Sequence, residues 1–455
     1  MEQTQVSVVM VPIPSQSHLN QLLCLAALIS SHNLPVHFLG SATHNRQVKL
    51  RHTNLNPNNI SKIQFHDLPT PPIDSPDPTT NPDKFPAHML PAVLAYVGLC
   101  RPIGELIQEM SANTKKIVLI YDRLIAEAVS EAVSIPNVES YAFNCLSGFD
   151  LFHILWETMG KPFSIQGETM FSIRDFFPEE MMGLMVSKPD RFKDRAGDIH
   201  NTIRLIDGNY IDLLAREEIG GKTEQWALSP MLKPNVSIDH DTRTRHKCLD
   251  WLDGQAPGSV IYVSFGTNVA LSEDETSEIA LGLEQSKQKF VWVLRDADRA
   301  DIFSREVRKI ELLDGFEERV GENGIVVRDW APQVEILAHK STGGFMSHCG
   351  WNSCLESLVT GVPILAWPMH TDQPLNAIFM TSVLKTGLVV REWADREKLV
   401  KASIIKNVIE RLMGSEEGDE VRKRAAEISV AVGKAAEEGG ELSREMESFI
   451  AHISK

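Results

Sequence analysis

A run of small and polar residues in the second half of the chain has the composition of a phosphate-binding turn. Within residues 343–353 a short apolar strand ends, and a helix is predicted to begin at Asn352. Gly350 lets the backbone approach a ligand closely, and the first helical amides carry the positive end of the helix dipole. His348, Asn352 and Ser353 add side-chain donors. Because no acidic metal-binding cluster adjoins this turn, we expect it to hold a diphosphate with protein donors and no metal.

Other nucleotide-binding patterns do not fit this sequence. The dinucleotide fingerprint G-x-G-x-x-G follows none of the predicted strands. Residues 221–223 (Gly-Lys-Thr) lack the first glycine of a phosphate loop, because Arg216 stands in its place. A zinc site built from His348, Cys349 and Cys354 has a spacing that matches no common zinc pattern. These observations argue against a nicotinamide oxidoreductase, a P-loop enzyme and a zinc protein.

Short β-branched runs alternate with helical patterns along the chain, as they do in parallel α/β sheets. The segment 19–31 predicts the helix that follows the first strand. The proline-rich segment 70–86 predicts a long loop, which either borders a ligand or is a simple exposed connection. The predicted strands are 6–11, 36–39, 63–65, 117–121 and 138–143 in the first half, and 260–265, 290–294, 325–327, 343–346 and 364–366 in the second.

The length of 455 residues is too great for one hydrophobic core, so two domains are expected. Residues 228–245 contain prolines and many polar residues and predict the linker between them. We therefore predict an α/β fold with two doubly wound domains, 1–240 and 246–435. A C-terminal helix near 436–455 can pack back on the first domain.

Charge and cysteine usage restrict the classes of partner. The formal net charge of −16 argues against nucleic acid, because phosphate backbones are bound by basic surfaces. Six scattered cysteines without a C-x-x-C pair are typical of reduced thiols, which predicts a cytoplasmic protein. The apolar run 6–11 is stopped by Pro12 and Pro14 and is too short for a signal peptide or a membrane span.

The segment 330–373 resembles the complete signature of plant secondary-product glycosyltransferases, from Trp330-Ala-Pro-Gln to Trp-Pro-Met-His-Thr-Asp-Gln373. Similarity also covers residues 8–21, 248–252 and 264–267. The resemblance implies a GT-B fold, in which two facing Rossmann-like domains enclose a cleft. It implies an inverting, metal-independent transfer of a sugar from a UDP-sugar to a small molecule. UDP-sugar is then the donor substrate, no prosthetic group is expected, and we expect a monomer.

The resemblance also assigns the donor contacts. Trp330 matches the tryptophan that stacks on uracil, and Gln333 and Glu356 match the residues that hydrogen-bond the ribose. Trp351 and the final Asp-Gln pair match positions that contact the sugar and favour glucose, while UDP-xylose stays open. Thr267, His348, Asn352 and Ser353 match the diphosphate ligands. The whole predicted donor site is Thr267, Trp330, Ala331, Gln333, His348, Trp351, Asn352, Ser353, Glu356, Asp372 and Gln373.

His18 matches the catalytic histidine of this family, and Asp122 matches its partner aspartate. A histidine titrates near neutral pH and suits the removal of a proton from an acceptor hydroxyl. A carboxylate fixes the imidazole tautomer and stabilises its charged form. His18 follows the first predicted strand and Asp122 follows the strand 117–121, so both are expected at the carboxyl edge of one sheet. Arg123 adds a cation beside this aspartate.

Two positions beside the histidine depart from the family pattern. Most members have glycine before the histidine and proline three residues after it, whereas this chain has Ser17 and Gln21. Gln21, together with residues 294–303, resembles the zeatin O-glycosyltransferase branch, which acts on cytokinin hydroxyls. Ser17 departs even from that branch.

The acceptor stays open at this point. A cytokinin such as zeatin, a flavonoid, an alkaloid and a terpenoid glycoside are all compatible with the fold. A non-catalytic nucleotide-sugar or hormone-binding protein is the alternative from another class. Predicted acceptor contacts are Ser17, Phe85, Met89, Phe143, Asn144 and Phe149, chosen because they follow strands or lie in the proline-rich segment.

Overall fold

The computed structural model describes residues 4–51, 55, 57–71, 86–165, 172–177, 195–220, 223–229, 245–295, 297–298, 303 and 310–455. Its strands form two parallel sheets. The strands are β1 (Thr4–Val11), β2 (Val36–Ser41), β3 (Ile63–Leu68), β4 (Thr114–Asp122), β5 (Val138–Asn144), β6 (Gly197–His200), β7 (Glu224–Ala227), β8 (Val260–Ser264), β9 (Lys289–Val293), β10 (Gly324–Val327), β11 (Thr342–Ser347), β12 (Ile364–Ala366) and β13 (Gly387–Val389). The orders are β3-β2-β1-β4-β5-β6-β7 and β10-β9-β8-β11-β12-β13.

Helices lie between consecutive strands, and between β4 and β5 they are the 3₁₀ helices Arg123–Val129 and Ala132–Ser134. The α-helices are α1 (Gln16–Ser30), α2 (Ala42–Arg51), α3 (Pro57–Ile60), α4 (Leu90–Val97), α5 (Cys100–Ser111), α6 (Gly148–Thr158), α7 (Arg204–Leu214), α8 (Glu217–Gly220), α9 (Lys247–Asp253), α10 (Glu273–Ser286), α11 (Phe316–Val320), α12 (Gln333–Ala338), α13 (Trp351–Thr360), α14 (Gln373–Ile378), α15 (Ala402–Gly414), α16 (Glu416–Ala436) and α17 (Glu441–Ile453).

Both faces of the first sheet are buried. Val8 on one face packs in a cluster with α1, whose apolar residues recur at helical spacing from Leu19 to Ala26. Val9 on the other face packs in a cluster with Tyr96 of α4 and Ile103 of α5. A strand covered on both faces has no polar side, which explains why the central strands have continuous apolar runs instead of alternation.

Each sheet has one point where the strand order reverses. In the first sheet β1 lies between β2 and β4, and in the second β8 lies between β9 and β11. The connections after β1 and β8 therefore run to one side, and those after β4 and β11 run to the other. In open α/β sheets the crevice outside such a point, at the carboxyl ends of the strands, binds the ligand.

The helix α17 packs on the first sheet although it follows the second in sequence. The ring of Phe449 lies edge-on to Tyr141 at 5.5 Å and to Trp226 at 5.2 Å between ring centroids. Arg204 Nε donates to Glu445 Oε1 at 2.8 Å. The apolar face of α17 thus completes the core of the sheet formed by the first half of the chain.

The predicted fold class, two doubly wound parallel sheets, is confirmed, and all ten predicted strands are present. Three strands were missed: β6, β7 and β13. They have four, four and three residues, and each pairs at or near the edge of its sheet. Most of the proline-rich segment and of the predicted linker, 72–85 and 230–244, lies outside the described residues.

Over the described ranges, no single helix is both long and apolar enough to cross a membrane. One bent pair, Ala87–Val97 with Cys100–Ser111, meets the criteria of length and composition when the two helices are taken together.

Candidate functional site

A cleft of about 420 Å³ lies where the carboxyl ends of the two sheets meet. Its walls include the segments that follow β1, β4 and β5 in the first sheet and β8 to β12 in the second. His18 and all eleven predicted donor residues line it. One cavity therefore contains the predicted base and the predicted donor residues.

His18 and Asp122 meet at the reversal point of the first sheet. The distance from His18 Nδ1 to Asp122 Oδ2 is 2.6 Å, and Asp122 is 1% exposed, behind the histidine. Asp122 also accepts hydrogen bonds from the Leu124 amide at 3.0 Å and from Cys145 Sγ at 3.4 Å. Because a carboxylate only accepts, Nδ1 of His18 carries the proton and Nε2 is left as the basic nitrogen.

The charges around His18 change its basicity. Burial by itself lowers the pKa of the imidazole, but the negative charge of Asp122 and its hydrogen bond raise it, and Asp372 adds to that effect. The result is a pKa above the ordinary 6.5. Arg123 pairs instead with Asp198 of β6, at 3.3 Å between Nη1 and Oδ1. Its charge is thereby directed to β6, two strands away from β4 in the sheet.

The turn between β11 and α13 has the features of a diphosphate site. α13 begins after Gly350, which has no side chain to cap the first amides. A Cβ at Gly266 or at Gly350 would stand 2.6 Å from Nε2 of His348, so both glycines leave room for this imidazole. Burial lowers the pKa of His348 to about 4, and its Nδ1 has no hydrogen-bond partner among the described residues. A neutral imidazole donor therefore lies beside the first helical turn.

The other end of the cleft contains an exposed indole and a buried carboxyl. Trp330 is 36% exposed, as a face that stacks on a planar base requires. Gln333 Nε2 donates to Glu356 Oε2 at 2.6 Å and to Ser353 Oγ at 3.0 Å. Burial raises the pKa of Glu356 to about 7, with the Gln333 hydrogen bond opposing it. A carboxyl held in this way can accept hydrogen bonds from a pair of hydroxyls.

The residues predicted to contact the sugar lie between the turn and the dyad. The indole N–H of Trp351 donates to the Asn201 carbonyl at 2.7 Å, so a sugar contact would use its backbone or ring. Asp372 accepts from Asn376 Nδ2 at 2.8 Å, and burial raises its pKa. Gln373 is 3% exposed and its Oε1 accepts from two backbone amides at 2.8 and 3.1 Å.

Of the predicted acceptor residues, Ser17 and Met89 line the cleft. Phe143 and Asn144 lie within β5 and are 0% and 2% exposed, so they belong to the sheet and not to the cleft wall. Phe149 packs against Phe379, with ring centroids 5.0 Å apart, and also lies away from the cleft. Phe85 lies outside the described residues.

Three apolar residues that form the cleft wall on the side of His18 and Asp122 were not predicted from the sequence. Ile13, Leu124 and Leu146 each stand two residues after the end of a strand, β1, β4 or β5, and each lines the cleft. The signal that could have found them is this common offset, because the chain leaves the sheet at the strand end and only then turns toward the cleft.

A charged bridge across the mouth of the cleft was also not predicted from the sequence. Arg51 at the end of α2 makes two hydrogen bonds to Asp298, at 2.5 and 3.2 Å. Asp298 is paired with Arg295 too, at 2.5 Å. The guanidinium of Arg51 stands 4.5 Å from the ring centroid of Trp330. Arg51 and Asp298 are 247 residues apart in sequence, so local sequence patterns cannot reveal the bridge.

Comparison with known proteins gives consistent results. Residues 4–233 match the family described as "Glycosyltransferase, N-terminal domain", and residues 225–413 match "UDP-glucoronosyl and UDP-glucosyl transferase". The chain is 49% identical to the zeatin O-glucosyltransferase of Phaseolus lunatus, over 100% of this chain and 98% of that relative. It is 47% identical to the zeatin O-xylosyltransferase of Phaseolus vulgaris, over 100% and 99%. A UGT transferase from Siraitia grosvenorii, solved in complex with UDP, has a TM-score of 0.79 at 28% identity, covering 99% of this chain and 100% of that one.

Proposed function

Because this chain belongs to the UDP-glycosyltransferase family and has its GT-B fold, we propose that His18 and Asp122 are the catalytic dyad of an inverting O-glycosyltransferase. The enzyme transfers a sugar from a UDP-sugar to a small-molecule acceptor. The observation that carries the dyad assignment is the 2.6 Å contact of His18, which lines the cleft together with the diphosphate turn, with Asp122, which lies buried behind it.

The proposed reaction is a single displacement. Nε2 of His18 takes the proton of the acceptor hydroxyl as the oxygen attacks the anomeric carbon of the sugar. The bond from that carbon to the diphosphate oxygen breaks, and UDP leaves with the electron pair. His348, Ser353 and the first amides of α13 stabilise the charge on the leaving diphosphate. Attack from the side opposite the leaving group inverts the anomeric centre.

The donor contacts remain those assigned from the signature. Trp330 stacks on the uracil, Gln333 and Glu356 bind the ribose, and Asp372 and Gln373 contact the sugar. Their common position in the cleft supports this assignment. Ala331, Thr267, Trp351 and Asn352 complete the set, although the amide of Asn352 is turned toward the first domain.

We propose that the sugar is glucose and that the acceptor is the side-chain hydroxyl of a cytokinin such as zeatin. The two bean relatives support a zeatin acceptor, and they differ between themselves in the sugar that their names state. Ser17 and Met89 are the proposed acceptor contacts, together with the apolar wall of Ile13, Leu124 and Leu146.

The test is a screen of UDP-glucose and UDP-xylose against trans-zeatin, a flavonol and a terpenoid glycoside, with UDP release and product mass as readouts. A hexosylated zeatin is the expected product. Transfer only to the other acceptors would overturn the cytokinin assignment, and a pentosylated product would overturn glucose. UDP binding without release of UDP for any acceptor would favour a nucleotide-sugar or hormone-binding protein.

The division of the chain is proposed at 1–240 and 246–435, with the C-terminal segment returning to the first domain. The first sheet ends at Ala227 and the second begins at Val260, which supports a boundary between them. All six cysteines are free thiols, which supports a cytoplasmic location. We also propose that the enzyme is a monomer.

A further inference from the structure

Gln21 joins the helix of the catalytic histidine to the helix of the diphosphate turn. It stands three residues after His18 on α1, so both side chains lie on one face of the helix. Its Nε2 donates to Asn352 Oδ1 of α13 at 2.6 Å and to the Cys145 carbonyl at 3.3 Å. Asn352 Nδ2 in turn donates to the Ser17 carbonyl at 3.2 Å. The contact therefore crosses the cleft in both directions.

Two backbone carbonyls fix the orientation of both amides. A carbonyl oxygen only accepts, so the atom of Gln21 that faces Cys145 must be nitrogen, and the atom of Asn352 that faces Ser17 must also be nitrogen. Exchange of oxygen and nitrogen in either side chain would place two acceptors against each other. The direction of the Gln21 carbonyl oxygen is thus determined by contacts with three other residues.

That oxygen has no donor. Gln21 is 2% exposed, and its Oε1 is buried without a hydrogen-bond partner among the described residues, although the residue lines the cleft. Buried acceptors are usually satisfied in folded proteins, so an unpartnered oxygen on a residue that lines a ligand cleft is available to a donor of the ligand.

We propose that Gln21 determines substrate specificity: its amide is held by Asn352 and Cys145, and its Oε1 accepts a hydrogen bond from a hydroxyl or N–H of the bound substrate. The proposal rests on the proposed function, because it assumes transfer within this cleft. The donor group has two possible sources, the acceptor molecule and the sugar of the UDP-sugar. Both present hydroxyls near His18.

The experiment compares Gln21→Met and Gln21→Asn with wild type. Methionine keeps the volume and removes the hydrogen bonds, while asparagine keeps the amide and shortens its reach by one carbon. Gln47→Met is the matched control, because Gln47 is 3% exposed and has an unpartnered Oε1 but does not line the cleft. UDP affinity by calorimetry verifies that each variant is folded.

Two reactions distinguish the sources. One is transfer from UDP-glucose to trans-zeatin, or to quercetin if wild type does not use trans-zeatin, and the other is slow hydrolysis of UDP-glucose without acceptor. A roughly tenfold loss of kcat/KM for the acceptor with unchanged hydrolysis assigns the donor group to the acceptor. A similar loss in both reactions assigns it to the sugar. If wild type uses only quercetin, the cytokinin assignment fails and the Gln21 test proceeds unchanged.

The proposal is overturned if both Gln21 variants keep wild-type kcat/KM in both reactions. It is also overturned if Gln47→Met loses as much activity as they do, because the effect would then be a general result of removing a buried amide. If one of the two Gln21 variants no longer binds UDP, only the other is compared with wild type. If neither binds UDP, Gln21 is a structural residue and the specificity role is wrong.

Discussion

The surroundings of His18 shift its pKa in opposite directions. Burial disfavours its charged form, whereas the carboxylate of Asp122, 2.6 Å away, favours it. The balance raises the pKa of His18 above the ordinary value, which makes it a stronger base than a free histidine. The same contact fixes the tautomer, so Nε2 faces the cleft as the basic atom.

Replacing His18 by alanine should remove most of the transfer. A positioned general base contributes about a hundred- to ten-thousandfold to the rate, and we expect kcat to fall within that range. UDP binding should persist, because the donor contacts belong to the second sheet. Steady-state rates and calorimetry with UDP measure the two effects. His32→Ala, an exposed histidine after α1, is the control. Retention of full turnover with several acceptors would contradict the assignment.

The pH dependence should report the raised pKa of His18. The base must be neutral, so kcat/KM should rise with pH through a value above 6.5 and then level off. In Asp122→Asn the carboxylate charge is lost, the pKa of His18 falls, and the rising limb should move to lower pH while the plateau drops. Asp212→Asn, an exposed acid on α7, should leave the profile unchanged. Identical limbs in wild type and Asp122→Asn would show that another group titrates.

At the scale of elements, the turns after the strands form the site, and they decide what sequence can predict. The strands and the β11–α13 turn were predictable, because apolar runs and a glycine-containing turn are local signals. Phe143 and Asn144 were predicted as acceptor contacts because they lie at the end of a strand. They are still paired within the sheet, where side chains point to its two faces and not to the cleft at its edge. Ile13, Leu124 and Leu146 form the wall because the chain turns toward the cleft two residues after the strand ends. The type of residue alone does not predict where that turn occurs.

The β11–α13 turn gives a prediction of its own. Alanine at Gly350 would bring a Cβ to 2.6 Å from His348 Nε2, so the imidazole must move away from the diphosphate. Loss of one charge-directed donor is expected to raise KM for UDP-glucose by about tenfold or more. Steady-state kinetics with varied UDP-glucose measure this. Gly433→Ala on α16, where a Cβ meets nothing within 4 Å, should leave KM unchanged. An unchanged KM in Gly350→Ala would exclude this arrangement of His348.

At the scale of the molecule, apolar packing and specific polar contacts join the two halves. The bridge from Arg51 to Asp298 stands beside Trp330, and the Trp351 indole donates to Asn201 of the first half. The two residues of each contact are 247 and 150 residues apart in the chain, respectively. Sequence patterns can predict that two domains face each other, but not which side chains meet, because this depends on the relative position of the two sheets.

Removing the Arg51 side chain should therefore affect stability and donor binding together. Arg51 and Asp298 are 14% and 7% exposed, but Arg295 still pairs with Asp298 when the Arg51 side chain is removed. The expected decrease in the free energy of unfolding is therefore that of a lost hydrogen bond to a charged group, about 2 kcal/mol. We expect Arg51→Met to lose about that much and to bind UDP more weakly, as denaturant unfolding and calorimetry would show. Arg101→Met, which breaks an exposed pair with Glu105, should change stability by no more than about 1 kcal/mol. Equal effects of the two variants would contradict a role for the bridge.

The return of α17 to the first sheet has a consequence for the order of folding. Glu445 accepts a hydrogen bond from the amide of Ala227, 218 residues earlier in the chain, and Phe449 fills the core beside Tyr141. During synthesis the first half emerges long before this helix and cannot complete its core alone. The sheet of the second half ends at Val389, and the helices that follow it, α15 and α16, end at Ala436, so these elements have emerged before α17 begins. The part of the protein that is made first is thus the part that matures last, and it exposes an apolar face until residue 453 has emerged.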